Sequence, residues 1–134
     1  MNVIIANSAQ EMMERAQSLV MHRLTRNPDC VLGLGADPIL IRLYRALAVQ
    51  FKEASIPMHY VKAFCAQERL GKTNSSTDSD LALIRSQFLD LVSVHPRSSF
   101  APSFVAGESP LETAARYEAL IDRHGGIDLQ ILSL

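Results

Sequence analysis

Two short segments carry the residue types that could handle a charged ligand. Gly35-Ala36-Asp37-Pro38-Ile39 lies between an apolar run and a helical pattern, the context in which backbone amides can close around a phosphate. Such a loop works with small residues and hydroxyls. Here Asp37 adds a negative charge and Pro38 removes an amide donor. Like charges about 4 Å apart in a partly dry site repel by on the order of several kcal/mol, enough to reverse weak phosphate binding. The same pair also reads as an N-cap and a first-turn proline, which needs no ligand at all. The second segment is Gln67-Glu68-Arg69. Proton transfer needs an ionisable group of suitable pKa. The Gln67 amide can hydrogen-bond but cannot act as a base, and Glu68 is expected to pair with Arg69 on the surface.

The remaining reactive side chains suggest less. Cys30 and Cys65 sit in strand-like apolar runs, without a C-x-x-C or a histidine at ligand spacing, and read as reduced core thiols. His124 precedes Gly125-Gly126, where an imidazolium would favour the negative end of a helix, and His95-Pro96-Arg97 reads as a solvated loop. Gly33-Leu34-Gly35 lacks the third glycine of a dinucleotide fingerprint. No metal, nucleotide or flavin signature is visible, so no cofactor is expected.

These segments must be positioned by alternating strand-like and helix-period stretches, the pattern of a parallel sheet covered by helices. Strands are expected at Asn2–Ala6, Cys30–Leu34, Met58–Ala66 and Ile127–Leu134, with a short one at Ser103–Ala106. Ser8 and Glu11 form a capping box ahead of a helix that buries Met12, Met13, Ala16, Leu19, Val20 and Leu24 and stops at Asn27-Pro28. The helix after Pro38 turns Leu40, Leu43, Tyr44, Leu47 and Phe51 inward. A polar stretch over 71–78 is a surface loop, and a helix from Thr77 or Ser79 to Val92 buries Leu81, Ile84, Phe88 and Leu91. Ser109-Pro110-Leu111-Glu112 is a second capping box, and Gly125-Gly126 closes its helix. The class is α/β, a partial doubly wound, mainly parallel sheet flanked by helices, within one domain over 1–134. In such sheets ligands bind beyond the carboxyl ends of the strands, and with a last strand running to Leu134 the loop after it is expected to be missing.

Bulk properties narrow the partners. With 13 Lys+Arg against 14 Asp+Glu, a formal net charge of -1, there is no field to recruit nucleic acid or an anionic membrane. No apolar run approaches the roughly 20 residues of a spanning helix, and MNVIIANSAQ lacks the basic start of a signal peptide. A cytoplasmic location is expected.

Three segments together resemble the first half of the glucosamine-6-phosphate deaminase and isomerase family, relatives of the 6-phosphogluconolactonases. Val31 to Leu47 is similar to the family's strand, phosphate loop and helix, written there L-G-L-x-T-G-[GS]-T-P and followed by Tyr-x-x-Leu. Phe64 to Gly71 is similar to its F-x-x-D-E-x-x-G turn. Tyr117 to Leu134 looks like the helix and strand that enter its G-x-x-N/D-G-H-I loop. The resemblance implies a phosphate loop over Gly35, Ala36, Asp37, Pro38 and Ile39, and catalytic positions at Gln67 and Glu68. It also shows the departures: the family's T-G-[GS]-T-P has become Ala36-Asp37-Pro38-Ile39-Leu40, and its proton-moving aspartate has become Gln67. The family's loop histidine has no counterpart among His22, His59, His95 and His124.

The favoured expectation is a truncated or degenerate relative, inactive alone, with an apolar last strand that pairs with another copy in a homo-oligomer. One alternative is half of a split enzyme, with a complementary C-terminal-half chain, converting an amino-sugar 6-phosphate to a ketose 6-phosphate plus ammonia. The other is a regulatory module that binds a sugar phosphate without turnover, since binding tolerates an amide at Gln67 and proton abstraction does not.

Overall fold

Strand β1 (Val31–Leu34) is buried at every residue because it is paired on both edges and covered on both faces. β2 (Lys62–Cys65) lies parallel on one side, with Val31 opposite Lys62 and Leu34 opposite Cys65. β4 (Leu129–Ile131) lies parallel on the other, with Leu32 opposite Leu129 and Leu34 opposite Ile131. β3 (Ser99–Phe100) adds to the far edge of β2, giving the order β3-β2-β1-β4. The computed structural model describes residues 3–69 and 77–133. An all-parallel sheet whose second and third strands step one way and whose fourth returns to the opposite side is the doubly wound arrangement expected from the sequence.

Alternation along the strands distributes side chains between two layers. Leu32, Leu34, Ala63 and Cys65 join the larger core with α1 (Ala9–Arg26), α2 (Pro38–Glu53) and α3 (Asp80–Ile84). Val31 and Phe64 face the other way, toward Tyr117, Leu120 and Ile121 of α4 (Pro110–Arg123). In the larger layer Phe88 stacks on Tyr44 with centroids 5.4 Å apart and touches Phe51 at 6.3 Å. In the smaller layer Phe64 stacks on Phe100 at 4.7 Å. The His124 ring packs on Phe64 and Phe100, with centroids at 5.6 and 5.0 Å, so its side chain serves the aromatic cluster beside its C-cap position.

Local signals place most helix ends. Ser109 and Glu112 make both bonds of the capping box, and Gly125 and Gly126 take φ of 90° and 85° past the helix end. The first box is made differently from its expectation: Ser8 Oγ accepts from the Glu11 amide, but Glu11 Oε2 accepts from Asn7 N (2.8 Å).

Several expectations are corrected. Residues 3–6 form no strand, and Val3, Ile4 and Ile5 are exposed; Asn2 lies outside the described residues. An apolar run makes a strand only where a neighbouring edge accepts its hydrogen bonds. The segment 103–106 is likewise irregular, and the short strand forms earlier, at Ser99–Phe100, ending ahead of Pro102, which has no amide to donate. Leu19 is 56% exposed and Met12 43%, so α1 buries a narrower stripe, Val20 and Leu24 flanked by Met13 and Ala16. Leu134 and the loop over 71–76 lie outside the described residues, while Thr77 and Asp78 form an exposed turn.

The third helix shows why Leu91 also failed to turn inward. Ser79 caps α3 through its side chain, but the helix then widens into a π turn over Arg85–Leu89. An i to i+5 turn holds one residue more than a regular one and shifts the phase of everything after it. Leu89 and Val92 are therefore buried, and Leu91 is 40% exposed.

Phe88 is fully buried between Tyr44 and Phe51. Phe88→Ala is expected to destabilise the fold by about 3–5 kcal/mol, whereas Leu91→Ala should stay within about 1 kcal/mol. Urea unfolding of the two variants checks this, and equal losses would contradict the phase shift.

Candidate functional site

The loops at the carboxyl ends of β1, β2 and β4 meet where the strand order reverses. The chain leaves β1 at Gly35, whose amide donates to the Ile131 carbonyl (3.1 Å) and whose carbonyl accepts from the Tyr44 hydroxyl (2.9 Å). Burial raises the Tyr44 pKa, so the phenol remains a donor throughout the working range. A Cβ on Gly35 would lie 2.8 Å from Leu40 Cδ1, and its absence lets the first turn of α2 pack directly on the bend.

Ala36 and Asp37 are half-buried, and Pro38 and Ile39 are exposed at the helix start. Asp37 occupies the N-cap position with extended backbone and Pro38 the first helical position, as the sequence indicated. The Asp37 side chain, however, makes no cap hydrogen bond. Its Oδ2 accepts instead from Ser133 Oγ, at 2.7 Å, across the gap between the loops after β1 and β4. Ser133 was not singled out from sequence, because nothing local signals a contact between residues so distant along the chain.

The second segment is organised around α3. Ala66 extends β2 by donating to the Leu34 carbonyl (2.8 Å), after which Gln67 is exposed with Nε2 3.5 Å from Asp80 Oδ2. Glu68 Oε1 accepts from the amides of Arg69 (2.9 Å) and Asp80 (3.0 Å), and Oε2 accepts from that of Leu81 (3.3 Å). This corrects the expected surface pair of Glu68 with the Arg69 side chain: Arg69 Nε lies instead 3.4 Å from Oδ1 of Asp80. The physical reason is that amides at a helix start need acceptors, and a carboxylate within reach satisfies several at once. Asp80, only 6% exposed, is a second carboxylate that the sequence reading missed; its signal was Ser79-Asp80 ahead of an apolar run.

Beneath this turn the Cys65 Sγ donates to the Gln67 carbonyl at 2.8 Å. Burial pushes its pKa up to about 12, and burial likewise raises that of Cys30. Both cysteines are buried and free, as expected. Among the described residues no cluster of three or more His, Cys, Asp or Glu side chains is placed to hold a metal ion, and no helix is long and apolar enough to cross a membrane.

The chemistry available is thus limited. Gln67 faces solvent as an amide, Glu68 is committed to backbone donors, and the loop after β1 presents the Asp37 carboxylate to Ser133.

A parallel sheet ordered β3-β2-β1-β4, with helices on both faces, defines a Rossmann-like α/β protein. No family model matches the chain. Over all 134 of its residues it is 34% identical to the glucosamine-6-phosphate deaminase of Halothermothrix orenii, of which it covers 55%. Its fold is similar to that of a monomeric glucosamine-6-phosphate deaminase (TM-score 0.85, 22% identity, 97% of this chain and 54% of that one). It is also similar to the 6-phosphogluconolactonase of Plasmodium vivax (TM-score 0.69, 15% identity, 95% of this chain and 46% of that one). The chain therefore resembles glucosamine-6-phosphate deaminases along its whole length while spanning about half the length of the curated relatives it matches.

Two outcomes follow from this geometry. Glu68→Ala should cost about 1–2 kcal/mol by leaving the first amides of α3 without their acceptor, a loss that urea unfolding would register without any ligand. Ionisation of Cys65 is the second. Above about pH 9 the unfolded thiol releases its proton while the folded one holds it, so the unfolded state binds fewer protons and stability falls as pH rises toward 12. Between those limits the wild type is expected to lose stability more steeply than Cys65→Ala; parallel slopes would rule out the effect.

Proposed function

We propose that this chain is a degenerate deaminase-like protein of amino-sugar phosphate metabolism that, alone, neither isomerises glucosamine 6-phosphate nor releases ammonia from it. The observation that supports this most directly is the amide at Gln67. It stands at the carboxyl end of β2, in the turn similar to F-x-x-D-E-x-x-G, where moving a proton between neighbouring carbons requires a carboxylate. Glu68 offers no substitute, since both of its oxygens already accept from backbone amides. The loop after β1 adds to the case. Asp37 replaces a small neutral residue of the family's phosphate loop, and a fixed carboxylate there opposes the phosphate group by Coulomb repulsion.

A coupled assay for ammonia from glucosamine 6-phosphate is expected to give no rate above the blank at high protein concentration. Gln67→Asp alone should remain silent, because the Asp37 carboxylate still disfavours the phosphate. Turnover by the wild-type chain that Gln67→Ala abolishes would overturn the proposal.

A further inference from the structure

Apolar groups stand uncovered on two sides of Met12. On one side α1, α2 and the end of β4 enclose a groove of about 450 Å³, walled by Leu40, Leu43, Ile131 and Leu132 and with Ser133 as its one polar residue. On the other, Ile4 and Ala6 share a hollow with Met12. Val3 and Ile5 are 73% and 82% exposed, and Ile4 is 52% exposed. The bonds from the Asn7 amide to Glu11 Oε2 and from the Glu11 amide to Ser8 Oγ hold the base of this arm at the start of α1, and within its own chain the arm leaves the groove open. Among the described residues no strand lies on the outer edge of β4. An unpaired strand edge beside an apolar groove accepts an extended apolar segment, whose backbone continues the ladder while alternate side chains enter the groove. Val3-Ile4-Ile5 is such a segment: three β-branched residues without a charge or a proline, exposed and paired with no described strand.

We propose that this face is an interface between two copies of the chain, in which the arm over residues 3–6 of each copy adds to the outer edge of β4 in the other and seats Val3 and Ile5 in the groove bounded by Met12, Ile39 and Leu132. Side chains two positions apart on a strand share a face, so Val3 and Ile5 enter together and Ile4 faces away. A reciprocal exchange about a two-fold axis makes the same contact twice and leaves neither edge nor arm open. The formal net charge of -1 puts little repulsion between the copies.

Sedimentation equilibrium of the full chain over a concentration series, combined with cysteine cross-linking of mixed variants, tests this. A monomer–dimer equilibrium is expected. Val3→Ser together with Ile5→Ser, and separately Leu132→Ser, should each weaken the dimer roughly tenfold or more through lost apolar burial. Far-UV circular dichroism should be unchanged in both, since all three side chains are exposed in the single chain. Under mild oxidation a mixture of Ile5→Cys and Leu132→Cys chains should join as dimers with one of each; Cys30 and Cys65 are buried and stay out of the reaction. Four results would overturn the proposal. These are a monomer at every concentration, a dimer that either set of substitutions leaves intact, cysteine variants that join only to their own kind, as edge-to-edge pairing of β4 would require of Leu132→Cys, and a double variant that bridges within a single chain, which would place the arm in its own groove.

Discussion

Strand β1 leaves no freedom to its neighbours. Hydrogen-bonded to β2 on one edge and β4 on the other, and covered on both faces, it admits only apolar side chains or none, and Val31-Leu32-Gly33-Leu34 meets that demand. Two edges in a single register also fix where three loops end, because Leu34 stands opposite both Cys65 and Ile131. A slip of one residue would send Leu32 and Leu34 to the opposite face and separate Gly35 from Ile131.

At the carboxyl edge of the sheet, competition for backbone donors decides the chemistry. Both helices that begin beside it need acceptors for their first amides, and the sequence offers each a carboxylate. At α3 the Glu68 carboxylate takes that task from outside the helix, aided by Ser79, and both of its oxygens accept from backbone amides. At α2 the opposite happens: Asp37 occupies the cap position, yet its side chain is drawn to Ser133 and makes no cap bond. Two acids close to helix starts thus have different fates. The difference comes from which donors the tertiary structure brings within hydrogen-bond distance.

Local patterns were sufficient where the physics is local. Capping at Ser109, the proline start of α2 and the left-handed glycines after α4 depend on residues within a few positions of one another. Patterns failed where a second element had to agree. Val3 to Ile5 is an apolar run that pairs with no described strand, and the π turn at Arg85–Leu89 shifted a helix face that a regular 3.6-residue period had assigned to Leu91. The resemblance of three motifs to glucosamine-6-phosphate deaminases was legible because each motif is contiguous; the comparisons extend it across the whole chain.

By itself the sequence determined the α/β class, the capping box at Ser109, the glycine close of α4 and an amide rather than a carboxylate at Gln67, since each follows from residue type and short-range spacing. Only the tertiary structure decided that Glu68 caps α3, that Arg69 turns to Asp80, and that Asp37 meets Ser133 across 96 positions of chain. A hydrogen bond is selected by distance in space and by the cost of leaving a buried group unpaired, and neither quantity is written in the order of the residues.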